Sequence, residues 1–247
     1  MAEDDYGESY YYRGIADNWL SFAGFYWRII RINGDGSIRL IYSGTKDNHT
    51  GEGTKVDSSA YKANYRGEKY ADYRISTVKY KTDNWYKTNI LAKDYENKVA
   101  DTGYCNDLTK YSTTDFGSQE RLRNNKIPTL KCPDKENNLL STANAKLTYS
   151  VGLLTQDEAS FEGGVYSNVI PNENKKYYLY SGYWYWTMTP AVLGGSSVFV
   201  GNVISDGCLG NYSEDYSGGG IRPVLSLKSK VNITSGDGTE ANPYIVE

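Results

Sequence analysis

The stretch FAGFYWRIIRINGDGSIRLIYSG, residues 22–44, decides the fold. Two runs that alternate between apolar and polar residues, 26–32 and 37–42, flank the tetrapeptide NGDG at 33–36. Asn, Asp and Gly adopt positive φ at little energetic cost, and a short turn rich in them between two alternating runs is the sequence signature of a hairpin. The stretch therefore predicts two antiparallel β-strands joined by a tight turn.

Two helices are predicted further along the chain. The first spans about 76–93, with Ser76 as its N-cap. Its inner face is expected to carry Val78, Trp85, Ile90 and Leu91. The second begins at the tetrapeptide TQDE, residues 155–158, which forms a capping box, and ends at the glycine pair 163–164.

The remaining apolar segments are expected to be strands. They are residues 145–155, 177–190, 197–204 and 221–227, together with a closing strand in NPYIVE, residues 242–247, that pairs near the N-terminal hairpin. Residues 45–75 are predicted to be a long loop, and residues 1–15 a disordered or truncated N-terminal lead. Neither a repeat nor a linker is visible, so residues 1–247 are expected to form a single α+β domain with short strands, two or so helices and long loops.

The composition disfavours several classes of protein. The net charge is −3, and acidic and basic residues are mixed throughout, so no basic stripe favours binding to nucleic acid. No run of about 18 apolar residues occurs, so direct insertion into a membrane is not expected. The aromatic residues are unusually polar, with 25 Tyr against 5 Phe.

The cysteines favour an oxidising compartment. Cys105 and Cys132 bracket a polar segment with few apolar residues to fold it, and a disulfide between them would stabilise this loop by about 3 kcal/mol. The alternative is a pair of unrelated buried thiols. The start MAEDD is typical of an artificial start on a truncated chain, so the missing signal peptide does not favour the cytoplasm. The predicted location is extracellular or on the cell surface, with the anchor or signal segment missing.

No motif for catalysis or cofactor binding is present. His49 is the only histidine and lies in a polar loop, so a Ser-His-Asp or Cys-His arrangement is not expected. The chain has no CxxC pair for a metal ion. Asp237, in the second GDG sequence, suits a calcium-binding turn less well than a plain Asx turn. The sequence therefore predicts no catalytic residue, no metal site and no cofactor.

The C-terminal third resembles a known group of proteins. YSGYWYWTMTPAVLGGSSVFV, GGGIRPVLSLK and ITSGDGTEANPYIV are similar to bacterial surface proteins with a C-type-lectin-like fold of the formylglycine-generating-enzyme type. Several members of that fold are the variable proteins of diversity-generating retroelements. Residues 22–44 and LTYSVGLLTQDEASFEGG, residues 147–164, look like earlier motifs of the same group. The resemblance is strongest over residues 178–246.

The resemblance implies a variable region over residues 178–228. In such systems Asn codons of the AAY type are copied inaccurately at adenines. The mutated codons can encode many residue types, here called reachable, but not Trp, Met, Lys, Gln or Glu. Every residue from 191 to 220 except Glu214 belongs to the reachable set, and the unreachable Trp184, Trp186 and Met188 lie just outside it. A plain surface loop rich in Gly, Ser and Asn would give the same pattern.

This region has the composition of a binding surface. Tyr supplies contact area at low entropic cost, and Ser, Gly and Asn adapt their hydrogen bonds to a partner. The residues expected on the binding face are Tyr183, Tyr185, Ser196, Ser197, Asn202, Ser205, Cys208, Asn211, Tyr212, Ser213, Asp215, Tyr216 and Ser217. Trp184, Trp186 and Met188 are expected to belong to the scaffold. Arg222 is expected to anchor the loop backbone or a carboxylate from inside, the alternative being an exposed arginine at a strand edge.

The predicted function is binding and not catalysis. We expect a surface-displayed domain of receptor or adhesin type whose partner is a protein or glycan on another cell, a phage or a host surface. The second interpretation is a structural adhesin or pilus-tip module of the same fold with an invariant loop. The third is an oxidase of the formylglycine-generating type. Those enzymes bind copper with a cysteine pair near the C-terminus, where this chain has only Cys208.

Overall fold

The computed structural model describes residues 1–65, 68–69, 71–166 and 176–247. Its strands, numbered in chain order, are β1 Ala2–Asp4, β2 Gly7–Tyr11, β3 Trp19–Phe22, β4 Phe25–Ile32, β5 Ile38–Tyr42, β6 Asp57–Ser59, β7 Asn64–Tyr65, β8 Glu68–Lys69, β9 Val99–Ala100, β10 Tyr104–Cys105, β11 Asn138–Leu139, β12 Tyr185–Gly194, β13 Ser197–Val203, β14 Leu209–Ser213, β15 Gly219–Ile221, β16 Val224–Leu227, β17 Ile233–Ser235 and β18 Tyr244–Val246. Its α-helices are α1 Thr77–Asn89, α2 Gly117–Gln119 and α3 Gln156–Glu162. Short 3-10 turns lie at Gly51–Thr54, Tyr73–Ile75, Leu91–Lys93, Glu96–Lys98 and Lys135–Asn137, and a π-turn at Glu120–Asn124 follows α2.

The predicted hairpin lies at the centre of the larger sheet. β4 and β5 pair antiparallel, and the backbone N–H of Asn33 donates to the carbonyl of Ser37 across the turn. Gly36 has a φ of 82°, which explains the glycine at that position. The sheet has the order β17-β18-β3-β4-β5-β16-β9, β2 also pairs with β4, and β1 pairs with β2. The chain is thus a mixed α+β protein whose sheets include a curled half-barrel.

The second sheet holds most of the C-terminal region. Its order is β14-β13-β12-β15-β6, and α3 packs against it. The side-chain amide of Gln156, at the start of α3, donates to the carbonyls of Asn202 and Gly210. Gly201 leaves room for this side chain, because a Cβ there would lie 2.5 Å from the Gln156 amide. The buried core extends over both sheets, with Trp27 and Leu225 on the half-barrel and Trp186 on the second sheet.

Several local predictions are confirmed. Ser76 caps α1 by accepting from the backbone N–H of Lys79, and Val78 and Ile90 are fully buried. The capping box of Thr155 and Glu158 is present, and Gly163 ends α3 with a φ of 128°. The closing strand β18 pairs parallel with β3, next to the hairpin. Helix α1 is shorter than expected, since it ends at Asn89.

Other predicted elements are wrong. Residues 145–155 are largely buried but form no strand apart from one bridge between Gly152 and Val224. Residues 177–184 also lie outside any strand, and β12 begins only at Tyr185. Residues 1–15, expected to be a disordered or truncated lead, include the paired strands β1 and β2, so this segment is not disordered. The predicted loop 45–75 contains two 3-10 turns and the short strands β6, β7 and β8. Residues 66–67 and 70 of that prediction lie outside the described part of the chain.

The predicted strand 221–227 is divided between the two sheets. β15 belongs to the second sheet and β16 to the half-barrel, with Arg222 and Pro223 between them. Proline lacks the N–H that a continuous ladder requires and fixes φ, so the strand is interrupted there. The chain thereby passes directly from one sheet to the other.

A buried ion-pair triad joins α3 to the hairpin. Arg31 Nη1 and Arg39 Nε each lie 2.5 Å from Oε1 of Glu158. Oε2 of the same carboxylate accepts the backbone N–H of Thr155, which closes the capping box. Burial by itself would raise the pKa of Glu158, but the charges of Arg39 and Arg31 lower it to about 2. The Glu158 carboxyl is therefore ionised at neutral pH.

The disulfide between Cys105 and Cys132 is confirmed, with Cα atoms 5.4 Å apart. It connects β10 to the segment that follows the π-turn. Within the described residues, none of the helices has the length and apolar character needed to cross a membrane.

The disulfide should contribute measurably to stability. Replacing both Cys105 and Cys132 with Ser should lower the free energy of unfolding by about 3 to 4 kcal/mol, because the unfolded chain regains the entropy of the open loop. Urea unfolding measures this loss. Peptide mapping under non-reducing conditions provides the control for the wild type, and complete alkylation of both thiols in the folded protein would contradict the prediction.

The triad should make a large contribution to folding. Glu158→Gln should lower the free energy of unfolding by about 3 to 5 kcal/mol, because it removes the carboxylate that neutralises the buried Arg39 and leaves the buried Arg31 with only the more distant Asp4, 3.9 Å away. Thermal and urea unfolding measure the effect. Glu52→Gln is a suitable control because the Glu52 side chain is 76% exposed, and equal stability of the two variants would show that the triad is dispensable.

Glu162 should make stability depend on pH. Burial raises the pKa of its carboxyl from 4.5 to about 9, so the folded protein keeps a proton that the unfolded chain releases. Stability is then greatest below the unfolded pKa and falls as pH rises towards the folded pKa, by at most about 1.4 kcal/mol per pH unit. Urea unfolding between about pH 5 and about pH 8 should show a shallower decline for Glu162→Gln than for the wild type. An unchanged slope would mean that Glu162 is ionised in the folded state.

Candidate functional site

Three aromatic side chains of the C-terminal region, Trp184, Tyr212 and Tyr216, form one cluster at the surface, and Tyr183 precedes Trp184 in the chain. These four residues are here called the aromatic patch. The ring of Trp184 lies 5.0 Å from that of Tyr212 and 5.7 Å from that of Tyr216, centroid to centroid, and the two tyrosine rings are 5.0 Å apart. Tyr216 is 57% exposed, whereas the other three side chains are half-buried. The patch therefore offers both ring faces and edges to solvent.

A buried tryptophan supports the patch from below. Trp186 is fully buried, and its ring packs edge-on against Trp184 at 5.0 Å and against Tyr61 at 5.6 Å. Its indole N–H donates to the carbonyl of Ser59 on β6. Gly219 makes room for this indole, because a Cβ there would lie 2.2 Å from Nε1. The position of Trp184 is thus fixed by contacts that span β12, β15 and β6.

Tyr183 is held at the edge of the patch by two further contacts. Its hydroxyl donates to the carbonyl of Gly218, 2.9 Å away. The ammonium group of Lys55 lies 3.8 Å from the ring centroid, close enough for a cation–π interaction. A positive charge therefore stands beside the aromatic rings.

The patch has charged neighbours of both signs. Lys55 pairs with Glu52, 3.6 Å away, and Asp215 and Ser217 are exposed on either side of Tyr216 in the loop after β14. Burial, together with the neighbouring Tyr216 and Asp206, raises the pKa of Tyr212, so its hydroxyl stays protonated at neutral pH. Aromatic rings, hydroxyl groups and flanking charges are suited to reversible binding of a polar partner.

Three residues expected on the binding face are buried, so their predicted exposure is wrong. Tyr185 points inward from β12 and donates its hydroxyl to the carbonyl of Leu179. Asn202 is fully buried on β13, opposite Trp186. Cys208 is fully buried in the turn between β13 and β14. β12 is buried at every residue from 185 to 191 and β13 at every residue from 200 to 203, so both faces of these strands are covered there, which selection by residue type did not take into account.

The other predicted residues lie in four places. Ser196 and Ser197 are at the turn between β12 and β13, and Ser205 is at the opposite end of that hairpin, about 20 Å away by strand geometry. Asn211 and Ser213 are half-buried on β14. Tyr183, Tyr212, Tyr216, Asp215 and Ser217 gather at or beside the aromatic patch. The candidate site is therefore smaller than predicted.

Arg222 points inward, as predicted, but the backbone that it holds lies on β5 and before β12 and not in the glycine-rich loop. Its side chain is 2% exposed, and it donates to the carbonyls of Tyr42 and Leu179 at 3.0 and 3.2 Å. Trp186 and Met188 are fully buried, as expected of scaffold residues. Trp184, predicted to belong to the scaffold, instead forms part of the patch. It lies just before β12 and is half-buried.

Sequence reasoning missed Lys55 as part of this site. It lies in the polar segment after the 3-10 turn 51–54, and no sequence signal connects it to Tyr183, which is distant along the chain. Among the described residues, no group of three or more His, Cys, Asp or Glu side chains is arranged to hold a metal ion. The His49 ring contacts Glu240 at 2.8 Å and packs against Trp19 and Tyr26.

The chain was compared with models of protein families, with curated proteins and with solved structures. No family model matches it. No curated protein and no solved structure matches it either.

Proposed function

We propose that this protein is a surface-displayed ligand-binding domain of receptor or adhesin type, and that the aromatic patch and the adjoining loop 213–217 are its binding face. The partner is a protein or glycan on another cell, a phage or a host surface. The observation that carries the proposal is the exposed cluster of Trp184, Tyr212 and Tyr216 on a fully buried support.

Energetic considerations support this choice of surface. Trp and Tyr are the side chains that most often dominate the binding energy of an interface, and they do so when neighbouring contacts already fix them in place. Here Trp186 and Tyr61 immobilise the base of the patch, and the Tyr183 hydroxyl is bonded to the loop backbone. Binding would then order few additional side chains, which reduces its entropic cost.

The proposal includes a C-type-lectin-like fold and a diversified loop. The resemblance of residues 178–246 supports that fold, with which the mixed α+β architecture is compatible. Tyr183, Tyr212 and Tyr216 belong to the residue types that adenine mutation can reach, and all three are solvent-accessible. The disulfide supports display outside the cytoplasm, where such bonds persist. A reverse transcriptase gene beside an imperfect repeat of codons 183–225 that differs at adenines would test the diversification.

Substitution of Tyr216 should separate binding from folding. The labelled protein is tested on a printed glycan array and on intact bacterial cells before and after protease treatment, which distinguishes a glycan from a protein partner. Tyr216→Ala should weaken the strongest binding by at least about tenfold while the free energy of unfolding changes by no more than about 0.5 kcal/mol.

Tyr10→Ala is the matched control. Tyr10 is 53% exposed, close to the 57% of Tyr216, but it lies on β2 of the half-barrel. Its substitution should leave binding unchanged. Equal losses in the two variants, or unfolding of Tyr216→Ala, would refute the assignment of the patch as the binding face.

A further inference from the structure

A second concave site lies where the half-barrel meets the segment before β12. It is a pocket of about 270 Å³ lined by Trp19, Arg28, His49, Tyr178, Arg222 and Glu240, with small polar residues around them. Its volume is near the lower end of the range for small-molecule sites. Two of the lining residues, Arg28 and Arg222, are arginines whose side chains are almost completely buried, at 8% and 2% exposure.

Arg28 is fixed in the wall of this pocket. Its Nε donates to Oδ1 of Asn18 at 2.6 Å, and its Nη2 donates to the carbonyl of Ala16 at 2.8 Å. The guanidinium carbon lies 4.2 Å from the ring centroid of Trp19 and 5.0 Å from that of Tyr178. These contacts orient the planar group before any ligand arrives.

Arg222 is the second cation. It donates to backbone carbonyls of Tyr42 and Leu179, and its guanidinium carbon lies 4.7 Å from the ring centroid of Tyr185. The pKa of Arg28 is lowered to about 10, mainly by burial and also by the charge of Arg222. Tyr178, Glu240 and Asp17 act in the opposite direction. Both guanidinium groups stay charged at neutral pH.

The two pocket arginines differ from the other buried arginines in their electrostatic partners. Arg31 and Arg39 pair with Glu158, and Arg121 pairs with Asp107 and Asp157. Within the described part of the chain, by contrast, neither Arg28 nor Arg222 lies within 4.0 Å of a carboxylate oxygen. Glu240, on the pocket rim, instead contacts His49 and is 58% exposed.

Two buried positive charges in the wall of an open pocket favour a negatively charged occupant. A charge removed from water is unfavourable unless an opposite charge or hydrogen bonds replace the water. Backbone carbonyls meet part of this need for each guanidinium, but they carry no net charge. Guanidinium groups match the geometry of oxyanions, which they bind through paired N–H donors.

We propose that this pocket binds the oxyanion group of a small ligand, with Arg28 and Arg222 as the charged contacts and Trp19 and Tyr178 as apolar walls. The shared chemistry is a carboxylate, sulfate or phosphate group on a ligand no larger than about one sugar ring, given the pocket volume. Hydroxyl groups of the ligand can bond to His49 and Glu240 at the rim. The proposal does not depend on the aromatic patch.

A series of sugar acids tests the proposal and separates the three oxyanions. Glucuronate, glucose 6-sulfate and glucose 6-phosphate are titrated into the intact protein at constant ionic strength, with glucose as the neutral control. Binding is followed by calorimetry and by the NMR signal of the Trp19 indole N–H. At least one acid should bind with a Kd of about 1 mM or tighter, and glucose should bind at least about tenfold more weakly.

Two variants assign the binding to this pocket. Arg28→Gln should weaken the best acid by at least about tenfold. Glu240→Gln changes an exposed side chain and should fold normally; removing its negative charge should tighten binding of the acid about two- to threefold. The second variant keeps the test decisive if Arg28→Gln fails to fold.

Three results would overturn the proposal. They are the absence of any Trp19 response to all three acids, equal binding of glucose and the acids, and binding that neither variant alters. The aromatic-patch variant Tyr216→Ala should bind the acids as the wild type does. Failure of the glycan and cell assays would therefore leave the pocket measurement unaffected.

Discussion

The Arg31–Glu158–Arg39 triad is the interaction on which the rest of the structure depends. One carboxylate holds both strands of the central hairpin through their arginines and also caps α3 through the backbone of Thr155. The next link is Gln156, whose amide bonds to two carbonyls of the second sheet. Half-barrel, helix and second sheet are therefore connected by a short chain of buried polar contacts. Such contacts have narrow geometric tolerance, so they fix the relative position of elements that apolar packing alone would allow to slide.

The charges of the buried arginines are stabilised in two different ways. In the triad and at Arg121, carboxylates of the protein neutralise the charge. At Arg28 and Arg222, neutral carbonyls and aromatic rings replace water but do not neutralise the positive charge. Arg222 also lies at the point where the chain crosses from β15 to β16. Its side chain therefore holds the backbone at the crossover and before β12, and it also lines a pocket. These contacts explain why the side chain points inward although the residue follows a glycine-rich loop.

The sequence allowed the local features to be predicted, because their causes lie within a few residues. The turn at 33–36, the capping box at 155–158 and the N-cap at Ser76 need no information from distant parts of the chain. The disulfide was predictable because the enclosed segment is too polar to fold by itself.

The predicted strand at 145–155 was wrong. These residues are buried because other elements cover them, and not because they pair with a neighbouring strand. Tyr185, Asn202 and Cys208 were misplaced because their burial comes from distant elements that cover both faces of the strands and the turn between them. The arginine pocket was not predicted, although Arg28 within an apolar alternating run was a usable signal.

The close packing around Gly201 and Gly219 has a consequence for protein engineering. Neither position has space for a Cβ, since the nearest atoms of Gln156 and Trp186 would lie 2.5 and 2.2 Å away. A randomised display library built on this scaffold should therefore keep these glycines together with the buried Tyr185, Asn202 and Arg222. Diversity can instead be introduced at exposed positions such as 196, 205 and 215–217 and at the tyrosines of the patch. The variable positions then lie mainly in the turns and loops, separated by invariant strand residues, so the usable library is a set of separate short segments and not a contiguous block.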